Sequence, residues 1–225
     1  MARFFSSLYF IGLFLLGLLV FPTCNKNCED VSGDYDFELP VSLSPARDTY
    51  RIGDTIYVSS IFADVVLDRN SQNSYVLENF LFFPKTYIQR IDTFPTRDGL
   101  PNFEVILDPN QDYYFFYYSD TTSSLLGEYL YFNQEYSLSY KFIPLKAGLY
   151  CFTQGSSLYP IAENQEFPGK CPRHESDASC ILNGGGDNNV DFLSRSPDPH
   201  YNDWILQKPE SRYHRFAGYC FYVVE

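Results

Sequence analysis

The chain has 225 residues, with 16 Lys plus Arg against 28 Asp plus Glu for a formal charge of −12, 6 cysteines and an aromatic share of 19%. So acidic a surface repels phosphate backbones and anionic headgroups, which sets nucleic-acid binding aside. A chain of about 200 residues buries roughly 70% of the surface its unfolded state exposes, enough for one self-sufficient core.

The chain opens with Met1, Ala2 and Arg3 and then an apolar run from Leu8 to Phe21 that includes Ile11, Leu15, Leu19 and Val20. A positive start followed by a greasy stretch shorter than the ~20 residues of a comfortable span reads as an export signal over residues 1–23. Cys24 follows at once, and its position resembles that of the cysteine that becomes acylated and N-terminal in bacterial lipoproteins. Phe21, Pro22 and Thr23 are not the usual lipobox residues, so the likeness rests on position. Lipidation of Cys24 is expected ahead of free secretion or an uncleaved anchor. It implies attachment to the membrane through an N-terminal lipid anchor and an extracytoplasmic address in the cell envelope, as an outer-membrane lipoprotein or a secreted protein. Loss of residues 1–23 removes Arg3 and no acid, leaving 15 basic residues against 28 acidic ones, a charge of −13.

Residues 24–35 form a polar linker that holds Cys28, and residues 36–225 read as a single β-domain. Its apolar segments are short, rich in Tyr, Phe, Val and Ile, and separated by Gly, Pro, Asn and Asp. The first strand covers 36–43 and is interrupted by Pro40, which points to a sheet edge or a bulge. Arg51, Ile52, Gly53 and Asp54 make a turn into a strand over 55–62 with Ile56, Val58 and Phe62 on one side. Further strands are predicted over 87–91, 103–107, 113–118, 129–132, 149–153 and 219–224. The clearest is 136–142, where Tyr136, Leu138, Tyr140 and Phe142 alternate with Ser137, Ser139 and Lys141. No long amphipathic helical stretch interrupts them. Short strands at this spacing predict an all-β fold, an antiparallel β-sandwich or barrel.

The run Pro144, Leu145, Lys146, Ala147, Gly148, Leu149, Tyr150, Cys151 resembles the turn into strand F of immunoglobulin-like sandwiches. That resemblance implies that Tyr150 is the corner tyrosine whose hydroxyl ties back to the backbone. In that family the cysteine falls two residues after the tyrosine. Cys151 follows immediately and must point to the opposite face, so the family's inter-sheet disulfide is not expected. A second stretch, Asp48, Thr49, Tyr50, Arg51, Ile52, Gly53, Asp54, Thr55, Ile56, is similar to one in uncharacterised lipoproteins of Bacteroidota envelopes. It implies an address and a β-sandwich, and no activity.

Cysteines occur at 24, 28, 151, 171, 180 and 220, and in an exported protein disulfides are the default reading. With Cys24 lipidated and Cys28 left over in the linker, four cysteines allow three pairings. The expected set joins Cys171 to Cys180 across a short loop and Cys151 to Cys220 between strand-like segments. Residues 154–215 turn to Pro, Gly, Asn, Ser and Asp and hold all three histidines and the only tryptophan. A disulfide-stapled irregular excursion is therefore expected there, and it is the first place to look for a site.

The chemistry on offer is sparse. The run Tyr113, Tyr114, Phe115, Phe116, Tyr117, Tyr118 is read first as a central strand buried on both faces. Alternatively it is a strand with one face in the core and the other presenting rings, with Tyr114 and Tyr117 as contacts for a glycan or protein ligand. Trp204, His200 and His214 are the other candidate ligand contacts. Cys171 and His174 have a zinc-like spacing, but no second pair completes a tetrahedral set, so no metal and no cofactor is expected. The oxygens of Asn183 to Asp191 suit a hard cation in kind, yet the spacing is that of a polar turn. No Gly-x-Ser-x-Gly elbow and no phosphate loop is present, so no catalytic residue is assigned. The leading expectation is a lipid-anchored, non-enzymatic binding or structural domain. The alternatives are a carbohydrate-binding module using exposed tyrosines and Trp204, and a hydrolase with its site in 154–215.

Overall fold

The computed structural model describes residues 33–119, 122–157 and 165–225; the expected signal, Cys24 and Cys28 lie outside the described residues. Fifteen strands occur among them in chain order: β1 (Tyr35–Ser44), β2 (Thr49–Arg51), β3 (Ile56–Ala63), β4 (Val65–Leu67), β5 (Ser74–Val76), β6 (Phe83–Arg90), β7 (Arg97–Asp98), β8 (Phe103–Leu107), β9 (Tyr113–Ser119), β10 (Thr122–Gly127), β11 (Leu130–Phe132), β12 (Glu135–Pro144), β13 (Gly148–Ser157), β14 (Ser176–Leu182) and β15 (Tyr219–Val224). Period-two alternation makes them. In β12 the residues Tyr136, Leu138, Tyr140 and Phe142 are buried, while Ser137, Ser139 and Lys141 between them are not. The turn at residues 51–54 forms around Gly53, whose φ of +89° a side chain would strain.

Thirteen of the strands build two sheets that share β1, and β4 and β5 pair apart from them as an antiparallel ribbon. The first sheet runs β9, β10, β6, β13, β14, β1, with β15 continuing the β14 edge of β13 and β2 beyond it. The second runs β1, β3, β12, with β8 and β11 along the far edge of β12. The changeover lies inside β1: its first part, to Val41, pairs with β14, and Ser42, Leu43 and Ser44 pair with β3. Pro40 sits just before this switch, where a residue without an N–H is best tolerated. The expectation of an all-antiparallel sandwich is corrected at two ladders. β1 runs parallel to β14 and β2 parallel to β15, because neither pair is joined by a hairpin that would force opposite directions.

The sheets pack face to face on one aromatic core. Leu39, Val58, Tyr140, Phe142, Phe152 and Phe221 are among its fully buried members, and Phe142 stacks on Phe152 with centroids 5.9 Å apart. The Tyr150 hydroxyl donates to the Lys146 carbonyl at 2.9 Å, the corner bond its surroundings predict. Alternation then turns Cys151 to the opposite face, as expected.

That opposite face carries a second apolar layer. Leu149 and Cys151 of β13 and Cys220 of β15 pack there against Leu193, Tyr201 and Tyr213 from residues 190–214. The excursion is therefore not structureless. It contributes β14, a 3₁₀ turn (Val190–Arg195) and two short π-helical turns (His200–Ile205 and Glu210–His214), the latter two starting directly after Pro199 and Pro209. The expected bridge between Cys171 and Cys180 is not formed. Cys180 is a free thiol buried beside Leu39 in the main core, and Cys171 is disulfide-bonded to a partner outside the described residues. Cys151 and Cys220 stand opposite one another as expected, but as free thiols. Apolar packing of Tyr201, Ile205 and Tyr213 holds the part of the excursion that follows β14 to the sheet.

Candidate cleft on the outer face of the first sheet

The outer face of the first sheet and the excursion enclose a cleft of about 420 Å³. Its floor follows from strand alternation. Thr86 and Ile88 of β6 point into the core, which leaves Lys85, Tyr87 and Gln89 on the outer face; in β13, Thr153 and Gly155 share that face. The wall comes from the two π-helical turns and the segment after them, with His200, Trp204, Arg212, Arg215 and Phe216.

Asp198 positions the first turn. Its Oδ1 accepts the His200 N–H at 2.9 Å, and its Oδ2 accepts the Thr96 hydroxyl at 2.7 Å, tying the excursion to the loop after β6. The Thr96 hydroxyl bond is the main reason the Asp198 carboxyl sits below the usual carboxylate range. Trp204 is held within the wall. The His200 ring stacks on it with centroids 4.9 Å apart, and the Arg212 guanidinium carbon lies 3.9 Å from its centroid while donating to the Trp204 carbonyl. The indole thus braces the two turns against each other, and Trp204 remains 46% exposed.

The open rings lie further out. Lys85 Nζ sits 4.9 Å from the Tyr87 ring centroid and 4.6 Å from that of Tyr118, and the two rings stack at 6.5 Å with their planes 23° apart. Tyr118 belongs to β9, and reaches across β10 because the intervening residue, Ser124, is small. Burial alone would lower the Lys85 pKa, but the hydroxyls of Tyr118 and Tyr87 outweigh it and the ammonium titrates above the ordinary lysine value. Tyr118 responds in the opposite sense: burial would raise it, and Lys85 draws it below the usual tyrosine value.

β9 is an edge strand paired with β10 alone. Only Tyr113 is buried, and Tyr114, Phe115, Phe116, Tyr117 and Tyr118 are all exposed, so the reading of 113–118 as a central strand is overturned. Tyr114, Phe116 and Tyr118 line a second groove of about 590 Å³ that shares Lys85 with the cleft. Rings therefore continue without a break from the cleft to the sheet edge. Tyr117 stacks on Phe115 on the other face, centroids 6.3 Å apart. Of the sequence candidates, His200 and Trp204 lie in the cleft wall and Tyr114 in the adjoining groove. Tyr117 lies on the reverse face, and His214 in a separate depression with Glu38, Arg69 and Glu210.

Sequence reasoning missed Lys85, Tyr87, Tyr118, Arg212 and Ser156. A signal existed for the first two, since the order Lys85, Thr86, Tyr87, Ile88 puts both outward by period two. Ser156 is 5% exposed, lines the cleft floor and has no hydrogen-bond partner for its Oγ among the described residues. It accordingly makes no nucleophile–base bond with His200. Among the described residues no group of three His, Cys, Asp or Glu is placed to hold a metal ion.

No family model matches the chain, and no curated protein sequence does. Among solved structures the chain is similar to the human F-spondin reeler domain at 11% identity and a TM-score of 0.30, over 60% of this chain and 84% of that one. It is also similar to a non-cellulosomal cohesin from the hyperthermophilic archaeon Archaeoglobus fulgidus at 10% identity and a TM-score of 0.30, over 86% of this chain and 93% of that one. A type II cohesin domain from the cellulosome of Acetivibrio cellulolyticus aligns at 10% identity and a TM-score of 0.28, over 65% of this chain and 92% of that one.

Proposed function

We propose that this chain is an exported, lipid-anchored domain that binds a glycan across the outer face of its first sheet. The observation that carries the reading is the unbroken strip from the cleft to β9, in which Tyr87, Tyr118, Phe116 and Tyr114 present rings around Lys85. A sugar has apolar C–H faces and a hydroxyl rim. Flat rings desolvate the first at low entropy cost, and Gln89 and Thr153 supply hydrogen bonds for the second. An extended chain suits an extended strip.

The address rests on the apolar run and on Cys24, and the immunoglobulin-like character on the Tyr150 corner. Export would place the facing thiols Cys151 and Cys220 in an oxidising compartment, where they close into a bridge. The reading is tested by probing a glycan array with the full chain and with Tyr87→Ala and Tyr118→Ala. At least one glycan should bind the parent and be lost by both variants. Binding unchanged in both would remove the strip as the site.

A further inference from the structure

We infer that the glycan is acidic, carrying carboxylate or sulfate groups that Lys85 and Arg212 engage. This rests on the glycan reading above and adds the sign of the ligand's charge. The chain has 28 acidic residues against 16 basic ones, yet the charged residues lining the cleft are Lys85, Arg212, Arg215 and a single acid, Asp177; the acids Asp112 and Glu128 line the adjoining groove and not the cleft. Asp177 is spent on Arg215, which also lies 3.7 Å from Asp36. Among the described residues, Lys85 and Arg212 have no carboxylate within ion-pair distance. Two unanswered cations therefore share one cleft in a protein with acid to spare.

Both cations are held in place. Lys85 is half-buried between two rings, and an aromatic face attracts an ammonium without neutralising it. Arg212 sits over the Trp204 ring and gives one N–H to the Trp204 carbonyl, so the guanidinium is held from two sides while its other donors stay available. A carboxylate or sulfate accepts two such donors in parallel. The acidity of the rest of the molecule does not cancel this attraction. At physiological ionic strength charges are screened over about 8 Å, so ligand anions at contact respond to the cleft more than to the distant surface.

The full chain is tested by isothermal titration against polygalacturonate, dextran sulfate, uncharged dextran and polyglutamate. The expected result is binding to polygalacturonate, dextran sulfate or both, weakened about tenfold in Lys85→Gln and in Arg212→Gln and retained in Lys85→Arg. The two acidic polymers separate carboxylate from sulfate recognition. Dextran bound as tightly as the acidic polymers, with Lys85→Gln unchanged, would overturn the charge inference and leave the glycan reading standing. Polyglutamate bound as tightly as either acidic polysaccharide would show that the cleft reads charge without sugar, and overturn it too. Failure to bind any polysaccharide would overturn both.

Discussion

The Lys85 ammonium lies 4.6 Å from the ring centroid of Tyr118, a residue on the far side of β10, and so joins β6 to the sheet edge. The contact links the cleft to the exposed groove along β9, and substitution of either partner is expected to separate them. Tyr118→Ala should weaken glycan binding by about tenfold or more while leaving the unfolding midpoint nearly unchanged, because β9 is an exposed edge. A midpoint fall of many degrees would instead mark Tyr118 as a structural residue.

Tyr150→Phe removes the hydroxyl that donates to Lys146 and leaves the ring in the core. The expected cost is about 1 kcal/mol, or a midpoint lowered by roughly 2–4 °C in a domain of this size. An unchanged midpoint would mean that the corner bond contributes nothing net.

The excursion is held by shape. Gly218 packs against the Tyr213 ring, and an added Cβ would stand 2.6 Å from its Cε2. Tyr213 is fully buried and donates to the Asn188 carbonyl at 2.6 Å, so it has nowhere to go. Gly218→Ala is expected to destabilise by about 1–3 kcal/mol, read by thermal denaturation. It should also blunt ligand binding, since the cleft wall hangs on the same anchor. Wild-type stability would contradict the packing described.

Asp198 gives a pH signature. Its folded-state pKa is depressed, so its contribution to stability is fully present above the ordinary carboxylate value of about 3.9 and is lost as pH falls through the lower folded value. The midpoint difference between the parent and Asp198→Asn should therefore be constant near neutrality and shrink below about pH 4. A difference that stays constant into acid would assign the effect to something other than this carboxylate.

The thiols can be counted. Directly opposed antiparallel residues have Cα atoms about 4.5–5.5 Å apart, inside the roughly 4.4–6.8 Å window of a disulfide. The neighbouring Cys220 side chain and then burial push the Cys151 thiol well above its usual value, and burial takes Cys180 up to about 12, so the reactive thiolate is scarce in the folded state. Oxidised glutathione should close Cys151 to Cys220 slowly, releasing two reduced glutathiones and leaving one free cysteine on alkylation after unfolding. Three alkylated thiols would contradict this. The N-terminus is tested alongside: labelled fatty acid should be lost in Cys24→Ser. Because acylation occupies the Cys24 sulfur, non-reducing peptide mapping should join Cys171 to Cys28.

Much of the sheet was legible because its strands alternate. Residues 36–43, 103–107, 136–142 and 219–224 fall on observed strands, and 55–62 does so from Ile56 on. β10 and β14 were not legible: Thr122, Ser123 and Ser124, and Ser176, Asp177, Ala178 and Ser179, carry no apolar alternation. Small residues are needed there because Tyr118 crosses β10, and because Phe216 and Ala217 lie against β14 through the bridge between Cys180 and Phe216. Trp204 and His200 were found by composition, as the rare residues of a polar stretch. Lys85 and Tyr118 were not, since their meeting depends on strand order, and no local pattern tells that β9 is an edge.

Tyrosine-ring NMR of the full chain, titrated with a glycan selected on the array, tests the proposed binding face most directly. Shifts confined to Tyr87, Tyr118 and Tyr114 are predicted, with Tyr57, which sits beneath Lys141 on the opposite sheet, unmoved. Shifts at Tyr57 with Tyr87 and Tyr118 silent would place the ligand on the wrong face of the sandwich and contradict the proposal.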